Sequence, residues 1–413
     1  MSQRQVRRAL RLGLGRVHLH HQAHGLEDHS ESLYQACLRN LVYDAQCEPG
    51  RAAWLFPLLS QDQKKELLKR LAVASRGAPR PRDLHQHGQL CLRLAKEGYP
   101  EARQVLYATA RFTRTGEGVG DDEILELDGA AGLLWLVRKA LGARLPDRVL
   151  AAVLDHLIWR YDYDHTRGEA EQVLANSPFK DCLGILAPPP KAPPVLQLSK
   201  KTAALLSVSQ LLECIDDNDS RYYNQAVSLW QGAASQSQLE EVAHLLAREE
   251  SSHRLVHLLS IFRKRQLPLF DRYSDRFLRL VDHPDDQVRR RACKALAAVR
   301  HPAIRQLALA KLASQDWLEG QLSLFCSNLE AGDSAILARH LRVDREAERH
   351  HSLVFHLVEV CQANPGPELD QVRHFIYETS PCANCRRAMM TAPALTSPWI
   401  AAEWPFDVNN FDD

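Results

Sequence analysis

Apolar residues recur at helical spacing along almost the whole chain, and this property narrows the accessible folds more than any motif does. "ESLYQACLRNLVYD" (31–44), "PEARQVLYATARF" (100–112), "PDRVLAAVLDHLIWRY" (146–161), "AALLSVSQLLECI" (203–215) and "LEEVAHLLAREE" (239–250) each gather their apolar side chains on one helical face. Short turns containing Gly, Pro, Asp or Asn separate such segments, and the strict alternation of a half-buried strand is scarce. The expected fold is all-α, either a set of bundles or a stack of helix pairs.

The stretch around 268–313, "PLFDRYSDRFLRLVDHPDDQVRRRACKALAAVRHPAIRQLALAKLAS", favours the stack. Phe270, Tyr273, Phe277 and Leu280 form one stripe, and Val288, Ala292, Ala295, Leu296 and Val299 form another across the turn "DHPDD". Asp285 or Asp286 is placed to cap the second helix, and Pro302 to open a third. The run Asp-x-x-Val-Arg-x-x-Ala-x-x-Ala-Leu, from Asp285 to Leu296, resembles the second half of a HEAT repeat. More widely, "YDAQCEPGRAAWLFPLL", "LCLRLAKEGYPEARQVLY", "ILELDGAAGLLWLVRKALG", "SPCANCRR" and "SPWIAAEWPFD" are similar, in that order, to blocks of a bacterial HEAT-repeat family. The resemblance implies a HEAT-like superhelix of antiparallel helix pairs, with room for two sub-arrays, and implies no activity.

A boundary is expected at "APPPKAPPVLQ" (187–197), whose five prolines remove the amide hydrogens that a helix needs. Around it the chain divides into a basic, His-rich and flexible arm (1–30), a helical array (31–186), a second HEAT-like array (198–403) and an acidic tail (404–413). "RGAPRPRD" (76–83) is a weaker break, and "GEGVGDDE" (116–123) reads as a loop. The formal net charge is only +1, so no global attraction to nucleic acid or to acidic membranes follows. Ten irregularly spaced cysteines in 413 residues are too few for a disulfide scaffold, and no segment has the uncharged apolar length of a membrane span. A cytoplasmic location is the expectation.

Cys382 and Cys385 in "SPCANCRR" are the first candidates for chemistry. With Ser380 as a cap and Pro381 in the first turn, they fall one turn apart on a helix face. A redox pair would need a strand–helix context that this region lacks, and a structural zinc site usually has four ligands. No second Cys-x-x-Cys follows, and Cys361, His356 and His374 are the residues from which further ligands would come. The pair is therefore read as packed, reduced thiols, with half a metal site and a redox pair as the alternatives.

Other motifs carry less. His18, His20, His21 and His24 lie in the basic arm, where positions 20 and 24 share a helix face. Asp162-x-Asp164-x-Thr166 imitates a phosphatase motif, but helical periodicity precedes it where a strand would be needed. The His-Glu pairs that serve HEAT-type hydroxylases are absent from the sequence. From 263 to 305, twelve Lys or Arg face five Asp. A helical wheel places Arg290 and Lys294 opposite the apolar stripe, facing solvent as candidate partner contacts, and Arg289 on the flank.

The leading expectation is a non-enzymatic scaffold without a cofactor, which binds an unidentified protein partner through a curved helical surface and does not engage membranes. The alternatives are binding to a nucleic-acid backbone through the 263–305 face, and a metal-dependent enzyme with an unrecognised His/Cys/Asp site.

Overall fold

The computed structural model describes residues 1–41, 50–75, 77, 80–166, 168–185, 206–216, 220–314, 319–390 and 398–411. These residues are mostly helical, with one two-residue strand pair, so the all-α class holds. The chain divides into two compact units, one comprising Met1–Pro193 with Trp399–Asp413 and the other Pro194–Pro398. The Pro-rich connector 187–197 lies outside the described residues.

The first unit begins with α1 (Gln3–Leu12), α2 (Arg16–His24), α3 (Ser30–Leu38), α4 (Arg51–Leu55), α5 (Gln61–Ala74), α6 (Pro81–Lys96) and α7 (Pro100–Thr109). Ser2 and Ser60 start α1 and α5 with Ser-x-x-Gln capping boxes, each side chain satisfying an amide of the other residue. Helix α6 is central, packing on α3, α4, α7 and α8 (Asp121–Gly142), and it buries Leu84, Leu90, Cys91 and Leu94. Before α8, the expected loop at 116–123 closes as a hairpin in which β1 (Arg111–Phe112) pairs antiparallel with β2 (Gly118–Val119). Helix α8 breaks at Gly129, whose φ of 50° suits glycine, and Gly132 then passes Ile124 so closely that a Cβ would lie 2.6 Å from its carbonyl oxygen. Helices α9 (Asp147–Asp164) and α10 (Glu169–Ala175) complete this series.

The second unit contains α11 (Val208–Asp216), α12 (Ser220–Ala233), α13 (Gln236–Leu246), α14 (Ser252–Ile261), α15 (Phe270–Arg279), α16 (Asp286–Ala297) and α17 (Pro302–Ala313). A 3-10 segment, Glu319–Phe325, leads to α18 (Asp333–His340), α19 (Ala347–Ala363), α20 (Asp370–Thr379) and α21 (Ala383–Met390). Next-but-one elements touch in series: α12 on α14, α14 on α16, α16 on the 319–325 segment, that segment on α19, and α19 on α21. Asp285 is the residue that caps α16, accepting the amides of Gln287 and Val288, and Pro302 opens α17. Val288, Ala292, Ala295, Leu296 and Val299 are buried, as their periodicity predicts.

The N-terminal residues 1–30, expected as a flexible arm, form packed helices in which Val6, Leu10, Leu14 and Val17 are buried. Residues 404–411, beyond α22 (Pro398–Glu403), are placed against them. The Val408 amide donates to Gly13 O at 3.0 Å, Trp54 Nε1 donates to Phe406 O at 2.8 Å, and Arg16 pairs with Glu403 at 3.0 Å. A Cβ at Gly15 would stand 2.0 Å from Glu403 O, so the approach requires glycine. Arginine-rich and acidic ends that look like solvated termini thus bury their interleaved apolar residues in one cluster.

Candidate metal centre

Helix α20 ends at Thr379, and the fully buried Ser380 begins a tight turn. Its amide donates to Ile376 O at 2.8 Å, while its hydroxyl donates to Cys382 O at 2.8 Å and accepts the Cys382 amide at 3.2 Å. Ser380 therefore organises the Cys-containing turn, and α21 starts only at Ala383. The buried guanidinium of Arg386 reaches back to Ser380 O at 3.1 Å. These bonds fix Cys382 just before the helix and Cys385 in its first turn, with exposures of only 3% and 6%.

The third member comes from α19. His350 is buried, its Nε2 lies 3.0 Å from Thr379 O, and its ring packs edge-on against Phe375 at 5.8 Å. Its Nδ1 accepts the Asp344 amide, so the ring is a neutral Nε2–H tautomer. Burial lowers its pKa, against the hydrogen bond to Thr379, which raises it. This contact docks α19 on the end of α20 and brings the next residue, half-buried His351, to the two cysteines. One ligand atom from each of His351, Cys382 and Cys385 lies within 4.8 Å of the others. Among the described residues this is the one group of three or more His, Cys, Asp or Glu so close together. Cys361, His356 and His374 are not in it. Nothing in the local spacing of "RHHSL" signals that His351 reaches the cysteines.

Burial pushes the thiols of Cys37, Cys91, Cys293, Cys326 and Cys361 up to about 12, where they are protonated and inert.

A second polar cluster occupies α19 nearby in sequence. His356 Nδ1 is 3.0 Å from both Ser323 Oγ and Glu359 Oε2, and Ser323 Oγ donates to the same carboxylate oxygen at 3.1 Å. Lys294 stands 4.0 Å from the other Glu359 oxygen. A hydrolytic triad places its serine and its carboxylate on opposite ring nitrogens. Here both use Nδ1, and Ser323 is 1% exposed. The cluster is a structural bolt between the 319–325 segment, α16 and α19.

That bolt corrects one of the two outward placements. Arg290 is 72% exposed and pairs with Asp286 at 2.8 Å, as the wheel implies. Lys294 is 22% exposed, with its ammonium 5.5 Å from the Phe355 ring and facing Glu359. Its position lies about 40° nearer the apolar stripe than that of Arg290. The wheel treats α16 as having one covered face, whereas α19 supplies partners for this flank. Burial lowers the Lys294 pKa despite Glu359, which raises it. Arg289 binds its own turn, donating to His283 O at 2.7 Å and Pro284 O at 2.8 Å. Arg305 grips buried Asp333 with two bonds of 2.7 and 2.8 Å. Much of the 263–305 basic run is thus engaged in holding turns and helices together.

The remaining motifs are also structural. Asp162 accepts the Gly168 and Ala170 amides at 2.7 and 2.9 Å, and Asp164 pairs with Arg160 at 2.6 Å. His18 is buried between Trp54, Phe406 and Phe411, and its pKa falls to about 4 through burial. The His20 and His24 rings are 5.0 Å apart, and the His20 ring also stands 5.8 Å from that of His29. The first unit also has a cleft of about 490 Å³, lined by Arg111, Phe112, Trp135, Arg138 and Lys139 among others. Lys139 lies over the Trp135 ring at 5.1 Å, and among the described residues none of these three cations pairs with a carboxylate.

Compared with known proteins, the chain matches no family model, no characterised protein and no solved structure. The HEAT resemblance accordingly rests on the quoted residues, and function rests on the geometry.

Proposed function

We propose that this chain is a HEAT-like α-solenoid acting as a non-enzymatic, cytoplasmic scaffold for a protein partner. The observation that carries the reading is the serial packing of the second unit, in which α12, α14, α16, the 319–325 segment, α19 and α21 each touch the next member. Elements repeated in this way cover one another's apolar faces and leave a long surface whose residues vary without disturbing the core. Arg290 on that surface is exposed, and Phe355 is 40% exposed beside Lys294. An arginine and an aromatic ring are the residue types that most often anchor an interface, and the excess of cations on 263–305 suits an acidic partner. No helix among the described residues is long and apolar enough to cross a membrane.

The test is retention of partners from the native organism by the wild type and by an Arg290→Glu, Phe355→Ala variant, alongside binding of labelled duplex DNA and RNA at about 150 mM salt. A protein retained by the wild type and lost by the folded variant supports the scaffold. Tight, salt-dependent nucleic-acid binding that the variant abolishes contradicts it.

One observation favours a second reading, in which the chain binds a nucleic-acid backbone. The cleft of the first unit combines Arg111, Arg138 and Lys139 with Phe112 and Trp135, the pairing of cations and stacking surfaces that single strands use. Binding of a labelled oligonucleotide that is lost on Arg138→Glu, Lys139→Glu, but not on Arg290→Glu, would assign it to this cleft.

A further inference from the structure

We propose that His351, Cys382 and Cys385 bind one Zn²⁺, which joins the start of α19 to the turn that opens α21. The inference is independent of the scaffold reading, because it stands on three side chains and not on the surface. Two sulfurs and one imidazole nitrogen, all within 4.8 Å of one another, form a set of soft and borderline donors. Such a set selects zinc or copper(I) over magnesium, calcium or manganese, which prefer oxygen. Zinc takes these donors tetrahedrally, and a small contraction of the group brings all three to bonding distance.

The surroundings are built for the task. The Ser380 hydroxyl holds both backbone groups of Cys382, and Arg386 holds the Ser380 carbonyl, so the turn presenting the first thiol is rigid before any ion arrives. The His350 bond to Thr379 O fixes the neighbouring backbone that presents His351. Binding deprotonates both thiols and releases two protons, leaving a site of two thiolates, one neutral imidazole and Zn²⁺ with no net charge. That neutrality suits a position in which both sulfurs are nearly inaccessible. Three protein ligands leave the fourth position of the tetrahedron to a further donor. No further His, Cys, Asp or Glu of the described residues joins the group, and the sequence 391–397, "TAPALTS", has none of these types.

The experiment is zinc content by mass spectrometry of the untagged full-length chain, equilibrated with zinc and then dialysed. The wild type is expected to retain about one equivalent, and Cys382→Ser, Cys385→Ser and His351→Ala to fall at least tenfold in affinity. A His20→Ala, His24→Ala variant is expected to retain its zinc, which separates this site from the N-terminal histidines. Should a cysteine variant fail to fold, Co²⁺ is titrated into the metal-free wild type, where thiolate-to-cobalt absorption reports the ligands without any substitution. A folded wild type that retains no zinc and gives no thiolate–cobalt band overturns the proposal. So does a full equivalent that survives the cysteine substitutions and is lost with His20 and His24.

Discussion

Helix α19 carries His351 and His356 in two clusters of different construction. Around His356 the chain supplies everything: hydroxyl, imidazole, carboxylate and ammonium face one another, so each acceptor has a donor and the Glu359 charge has Lys294 opposite it. Around His351 the chain brings together two thiols and an imidazole, all three of them metal-ligand types. The first arrangement is complete as folded and needs only to be kept dry. On the zinc proposal, the second takes up a cation. Proximity of titratable groups is common to both, and the complementarity of their charges separates a bolt from a ligand set.

If the contrast is right, metal affects one cluster and leaves the other alone. Denaturant unfolding of the wild type with free zinc at about 1,000 times the dissociation constant, against the same protein in chelator, should differ by about 4 kcal/mol. The difference should vanish in Cys385→Ser. A chelator effect of equal size in that variant would place the ion elsewhere and break the comparison.

The next effect belongs to the bolt. Glu359→Ala leaves Ser323, His356 and Lys294 without their shared acceptor and should cost about 1–3 kcal/mol, equally with and without zinc. Burial alone would raise the Glu359 carboxyl, but the His356 hydrogen bond and charge, the Lys294 charge and the Ser323 hydrogen bond outweigh it and hold the pKa below the usual carboxylate range. A carboxyl depressed on folding contributes its stability above its unfolded value and loses it as the pH falls through the folded one. Acidification from about pH 5 to about pH 3 should therefore destabilise the wild type more than Glu359→Gln. Parallel pH curves would remove Glu359 from the account.

The smallest effects test the two cations of α16. Lys294→Glu sets a second carboxylate before Glu359 and should cost about 1–2 kcal/mol, whereas Arg290→Glu, on an exposed site, should stay within about 0.5 kcal/mol. Equal costs would return Lys294 to the solvent face that the wheel assigned to it.

These two residues show how far the sequence could be read. Helical period found the stripe from Val288 to Val299 and the outward Arg290, because both depend on one helix alone. Asp285 as a cap was legible for the same reason. Lys294 was misplaced because its neighbours come from another helix, and His351 was missed because only the docking of His350 on Thr379 carries it to the cysteines. The ends misled in a further way. Arginine-rich and acidic compositions resemble solvated termini, yet Gly13 and Gly15 let residues 403–408 approach the N-terminal helices, a pairing that no local pattern announces.

The most direct test of the central contrast is X-ray absorption at the zinc edge on the untagged, zinc-loaded full chain. The account predicts two sulfurs at about 2.3 Å, with imidazole nitrogen and one light oxygen or nitrogen donor at about 2.0 Å. A shell of nitrogen and oxygen alone would contradict it.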